Sequence, residues 1–185
     1  MKPGSGKAKG AEFERAVCEK LSLWISHGER DDLFWRSAMS GGRATLKSKK
    51  GAQNITQVGD ITALSDKSFI FSSYFSVECK FYADLNIQQG LFKGTGNIAN
   101  FWRHHSQACA KIDRIPLMVV KQNRLPAVCI SDYEGSVILS RLAKPFLSTI
   151  SLSADASPCA FFWFSNLLAS RYNLEESRSP KRKKS

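Results

Sequence analysis

At about 100° per residue, the stretch from Gly10 to Ser26 gathers Phe13, Val17, Cys18, Leu21, Trp24 and Ile25 into one sector, which predicts an amphipathic helix. Glu14 falls inside that sector, whereas Glu12, Arg15 and Glu19 fall outside it. A carboxylate on a buried stripe needs a partner, because unpaired burial is costly. An arginine from the core, a route to solvent or a metal would each serve. His27 to Asp32 then reads as a polar turn, with Gly28 suited to stop the helix.

Short apolar runs follow. Leu33 to Ala38 predicts a strand, Ser40-Gly41-Gly42 a bend, and Val58 to Leu64 a strand that carries Asp60 and neighbours a later one at Val77 to Phe81. Ser65-Asp66-Lys67 reads as a turn and Phe69 to Phe71 as a strand. Ala83 to Gly96 is a connection with some helical character. A second helix over Asn97 to Asp113 places Ile98, Phe101, Trp102, His105, Cys109 and Ile112 on its apolar face, so His105 reads as a packed core histidine. Ile115 to Lys121 is the strongest buried-strand signal, with Ala127 to Ser131 beside it. Ser136 to Leu147 reads as strand or helix, and Phe161 to Tyr172 as a helix or a strand plus helix. The whole is an α/β chain: a flexible basic segment over residues 1–9, one domain over 10–172 and a disordered basic tail over 173–185.

Alternation in the strand at Val77-Glu78-Cys79-Lys80-Phe81 turns Glu78 and Lys80 to one face and Val77, Cys79 and Phe81 to the other. If Asp60 lies alongside, two carboxylates about 4 Å apart repel by roughly 4 kcal/mol at an effective dielectric near 20. They then need a proton, the lysine or a divalent cation. A solvated face with a surface ion pair, contributing at most ~1 kcal/mol, fits Glu-x-Lys equally well when that motif is taken alone.

Charge alters that balance. The chain of 185 residues has a formal charge of +11, and most of the excess sits in the two tails, leaving a mildly basic body. Within the body, Leu33 to Gly59 contains no acid but holds Arg36, Arg43, Lys47, Lys49 and Lys50, and it ends at Asp60. A basic loop running into an acidic pocket suits a phosphodiester and its metal, the loop neutralising phosphates and the pocket holding the cation. A solvated loop is the plain alternative. The five cysteines are scattered singly, which reads as reduced, buried filler in an intracellular protein, cytoplasmic or nucleoid-associated. Pro180-Lys181-Arg182-Lys183-Lys184 is also similar to a nuclear-import signal. No run approaches the ~18 to 20 apolar residues of a membrane span.

Five motifs stand in order: Lys9-Gly10-Ala11-Glu12-Phe13-Glu14-Arg15, Arg36-Ser37-Ala38, Val58-Gly59-Asp60-Ile61, Val77-Glu78-Cys79-Lys80, and Ile115-Pro116 through Lys121. Together they resemble the PD-(D/E)xK nuclease superfamily, and within it the archaeal-type Holliday junction resolvases, with Gly59 where the motif usually has proline. The resemblance implies a restriction-endonuclease-like core, a mixed central β-sheet flanked by helices. It also implies that Asp60, Glu78 and the Cys79 carbonyl ligate a metal, with Glu14 binding directly or through water. Lys80 would stabilise developing charge or orient the attacking water. Arg15, Arg36 and Lys121 would hold phosphate, joined by Ser37 and Ser40. Oxygen ligands imply Mg²⁺, with Mn²⁺ able to substitute.

The expectation is therefore a metal-dependent, structure-selective DNA endonuclease acting on four-way junctions as a homodimer. A nuclease of the same superfamily with another substrate, such as restriction, repair or phage DNA processing, stays open. So does a non-catalytic nucleic-acid-binding protein that works through its basic segments.

Overall fold

Helix α1 runs Ser5–Ile25, and the whole predicted stripe from Phe13 to Ile25 is buried. It begins before the expected Gly10 and takes in Lys7 and Lys9, which the sequence assigned to a flexible lead-in. Lys7-Ala8-Lys9 consists of good helix formers, so nothing local opposes the extension. The helix stops at the expected place by a two-residue device. His27 takes a left-handed conformation (φ 58°) and donates its N–H to the Trp24 carbonyl (3.3 Å), and Gly28 (φ 90°) donates to the Leu23 carbonyl (2.7 Å).

The computed structural model describes residues 5–37, 58–142, 149–150, 159–170 and 172. The Ser40-Gly41-Gly42 bend, Arg43, Lys47, Lys49 and Lys50, and the tail from residue 173 lie outside the described residues.

Strand β1, Phe34–Arg36, pairs antiparallel with β2, Ile61–Ala63, in the register Phe34 to Ala63 and Arg36 to Ile61. The expected partner of the Asp60 strand was the Glu78 strand. Instead Asp60 stands just before β2, whose ladder is made with β1. The expected strand at Phe69 to Phe71 is helical: α2 spans Asp66–Tyr74. Ser65 caps it in a reciprocal capping box with Ser68, and Phe71 buries itself edge-on to Trp24 and Phe34 and stacked on Phe75.

Strand β3, Phe75–Tyr82, is followed by α3, Ile87–Lys93, and α4, Asn97–Ala110, which carry the chain over to β4, Ile115–Gln122. Such a crossover is what a parallel neighbour requires, and β3 and β4 pair in parallel with Glu78 beside Met118 and Tyr82 beside Gln122. Then come β5, Val128–Asp132, α5, Tyr133–Leu142, β6, Thr149–Ile150, β7, Cys159–Trp163, and α6, Phe164–Ala169. The weak region at the end of the chain thus resolves as a helix at Tyr133–Leu142 and as strand plus helix beyond Cys159. The main sheet has the order β3-β4-β5-β7-β6, antiparallel from β4 onward.

Helices cover both faces of this mixed sheet, as expected. Leu117 and Val119 of β4 pack with the α1 stripe, Leu139 of α5 and Phe164 and Leu167 of α6. Met118 and Val120 pack with Ile98 and Trp102 of α4. Burial on both faces is why β4 reads as an unbroken apolar run, each such side chain contributing about 1.5–3 kcal/mol. All five cysteines are free and buried.

Candidate active site

β3 is an end strand of its sheet, bonded to β4 on one side only. Its other edge is taken by the segment that leads into β2. The Asp60 N–H donates to the Val77 carbonyl (2.7 Å), and the Asp60 carboxylate accepts from the Cys79 N–H (2.8 Å). A strand residue turns its N–H and C=O to the same side, so the Cys79 carbonyl faces this edge as well.

Gly59 makes the close approach possible. Its φ is +97°, and a Cβ there would lie 2.6 Å from the Val77 carbonyl oxygen and 2.8 Å from Ser76 Oγ. Proline, with φ held near −65°, is excluded from this backbone, which explains the glycine before Asp60. Ser76 Oγ completes the seam by donating to the Val58 carbonyl (2.7 Å).

Glu78 and Lys80 share the β3 face turned toward α4 and form an ion pair with each other. Lys80 Nζ lies 5.5 Å from the centre of the Phe101 ring, on which Tyr82 also stacks (5.4 Å, 23°). Below them His105 Nε2 donates to the Ser76 carbonyl (3.0 Å) and burial lowers its pKa, so it is the packed core histidine expected.

Electrostatics single out Asp60. Its pKa is pushed up from 3.8 to about 7, first by burial and next by the Glu78 charge, against the opposing pull of the Cys79 hydrogen bond and Lys80. The two carboxylates therefore compete for positive charge. Burial works to lower the pKa of Lys80, but the Glu78 charge and hydrogen bond outweigh it and the net direction is upward. Lys80 stays an ammonium at neutral pH.

The structure thus gathers Asp60, Glu78 and Lys80. Glu14 approaches from α1, and its carboxylate accepts from Arg36 Nε (2.6 Å), so the arginine is the partner that its inward position called for. Glu14 still acts on Asp60 electrostatically, though less than Glu78 does. Ser37 is buried, with its N–H donating to the Asp60 carbonyl (2.8 Å). Arg15 is exposed on α1, and Lys121 Nζ lies 5.5 Å from the centre of the Phe81 ring. Reading the sequence missed Tyr82 as a neighbour of the site, although its alternation with Glu78 and Lys80 was a sufficient signal.

Among the described residues, no three or more His, Cys, Asp or Glu side chains cluster closely enough to hold a metal by themselves. The donors on the β3 edge are hard oxygens: the carboxylates of Asp60 and Glu78 and the Cys79 carbonyl. Two carboxylates and a carbonyl fit Mg²⁺, which keeps several of its waters, better than they fit a soft ion.

A family model described as "Phage putative PDDEXK endonuclease" matches residues 5–156. No curated protein and no solved structure matches the chain.

Proposed function

The chain belongs to the phage putative PDDEXK endonuclease family, and from that premise we propose that it is a Mg²⁺-dependent DNA endonuclease that cuts branched DNA during phage DNA processing. The observation that carries this reading is the meeting of Asp60, Glu78 and Lys80 beside β3, with burial and then the Glu78 charge pushing the Asp60 pKa up to about 7.

In the proposed reaction a water attacks the scissile phosphorus as it gives up a proton to solvent, the P–O bond to the leaving group breaks, and the leaving alkoxide takes up a proton from solvent. Asp60, Glu78 and the Cys79 carbonyl would hold the ion, with Glu14 reaching it through water. Held by these residues, Mg²⁺ or Mn²⁺ would supply a lowered pKa for a bound water and neutralising charge for the phosphoryl oxygens. Lys80 is an ammonium, so it does not take the proton from water. Its role is to hold the phosphate or the attacking water and to stabilise charge that develops there. Glu78 fixes the position of the Lys80 amine.

Symmetric cutting of a four-way junction needs two sites related by a two-fold axis, so the junction form of this proposal includes a homodimer. The experiment is a cleavage panel of four-way, flap, single-stranded and linear duplex DNA with Mg²⁺, Mn²⁺ and chelator. Cutting that needs the metal and favours branched DNA supports the proposal. Equal rates on every substrate would remove the branch preference and leave a nuclease, and no cutting with either metal would remove the nuclease.

A further inference from the structure

Beside Lys80, a cleft of about 380 Å³ opens between the first turns of α1 and the end of β3. Lys7 and Lys9 of α1 line one wall, Lys80 and Tyr82 of β3 the other, and Asn123 closes it beyond β4. The nuclease reading gives no role to Lys7, Lys9, Tyr82 or Asn123. Gly6 and Gly10, one helical turn apart, also line the cleft, and a Cβ on either would meet nothing within 4 Å. Glycine weakens a helix relative to alanine, and here packing demands neither glycine. What the two glycines do is bare the helix backbone along one side of a cleft whose charged walls are cationic.

Tyr82 has Phe101 stacked against it, and 42% of its surface remains exposed. Part of Tyr82 is therefore accessible to a ligand in the cleft that it lines. The volume falls in the range of sites for small ligands, roughly 300–1,000 Å³, so a single nucleotide can enter while a duplex can only lie across the mouth.

We propose that this cleft holds an unpaired nucleotide of the DNA strand next to the scissile phosphate, its phosphates on Lys7 and Lys9 against the glycine-bared helix and its base against Tyr82. This deepens the nuclease reading and rests on it. The substrate would then be DNA with a frayed, flapped or displaced strand beside the cut. Phosphates supply the charge complement to the lysines, and stacking on Tyr82 is tolerant of base identity.

Binding of a single-stranded oligonucleotide and of a blunt duplex is measured over a salt series in the Asp60→Asn background, and cleavage kinetics in the otherwise intact chain. Lys7→Ala with Lys9→Ala should flatten the single-strand log–log salt slope by about 1.4, at ~0.7 per lost phosphate contact, and should raise KM with kcat little changed. Gly10→Ala should raise Tm and yet weaken single-strand binding, so loss of folding cannot explain the result. Tyr82→Leu should weaken single-strand binding about tenfold and duplex binding far less.

An unchanged salt slope and KM in the double-lysine variant, with the parent cutting normally, would overturn the cleft and leave the nuclease. Equal losses on single strand and duplex, or preferential retention of an acidic peptide, would overturn the unpaired nucleotide. If the parent cuts nothing with Mg²⁺ or Mn²⁺ while the variants lose single-strand binding as described, the cleft stands and the nuclease falls.

Discussion

Two carboxylate–cation pairs flank the same strand and resemble each other closely. Glu14–Arg36 is 15% and 28% exposed, and Glu78–Lys80 is 21% and 23% exposed. The first ties α1 to β1 across a long stretch of chain, which is structural work. The second joins neighbours two residues apart in one strand, a pairing that β3 already guarantees and that adds little to the fold. What separates them is Asp60, whose carboxyl feels Glu78 strongly and Glu14 weakly. Neither burial nor pairing distinguishes the pair proposed to be reactive; the neighbouring acid, Asp60, does.

The sharpest way to break this contrast is Asp60→Asn. Asparagine keeps an oxygen for the Cys79 N–H but removes the charge, so cleavage should fall by about 10³-fold or more while the metal-free protein gains Tm at pH 8. Loss of stability instead would mean that Asp60 serves the fold. Lys80→Ala comes next, with an expected loss in kcat of about 10²-fold to 10³-fold and little change in the urea midpoint.

Arg36→Ala should show the opposite pattern, destabilising by about 1–2 kcal/mol in urea because it strands Glu14 on the α1 side, a figure reduced from that of a fully buried pair for the remaining exposure. A change in cleavage larger than the change in stability would show that Arg36 sets how Glu14 reaches the proposed ion through water. The smallest effect is on pH dependence. The folded pKa of Asp60 is raised, so its contribution to stability is fully present below the ordinary carboxylate range and is lost as pH climbs through about 7. In chelator, the parent's Tm should fall relative to that of Asp60→Asn between pH 4 and pH 8, and Mg²⁺ should flatten the difference.

Elements set by local periodicity were legible in the sequence. The α1 stripe, the α4 face with His105 inward, the β4 run and the Glu78–Lys80 alternation all follow from spacing alone. Where the outcome depended on partners far along the chain, the sequence was silent. Glu14 visibly needed a partner, but nothing local chose Arg36 over a metal. Spacing predicts Asp60 in a strand beside Glu78, whereas the strand it leads into pairs with β1, and Asp60 itself meets β3 through its N–H to Val77 and its carboxylate from Cys79. Phe69 to Phe71 looked like a strand by composition, and the overlooked signal was Ser65 and Ser68 set to cap a helix.

The manner in which Asp60 meets β3 also bears on how the protein behaves in solution. Without the Asp60 segment, the outer side of Val77 and Cys79 would present unsatisfied amides and carbonyls to any extended peptide from another molecule. A carboxylate seated on that margin ends the ladder, since it accepts one bond and offers none to a newcomer. Asp60→Ala should therefore self-associate more readily than Asp60→Asn, linking solubility to the same residue as cleavage.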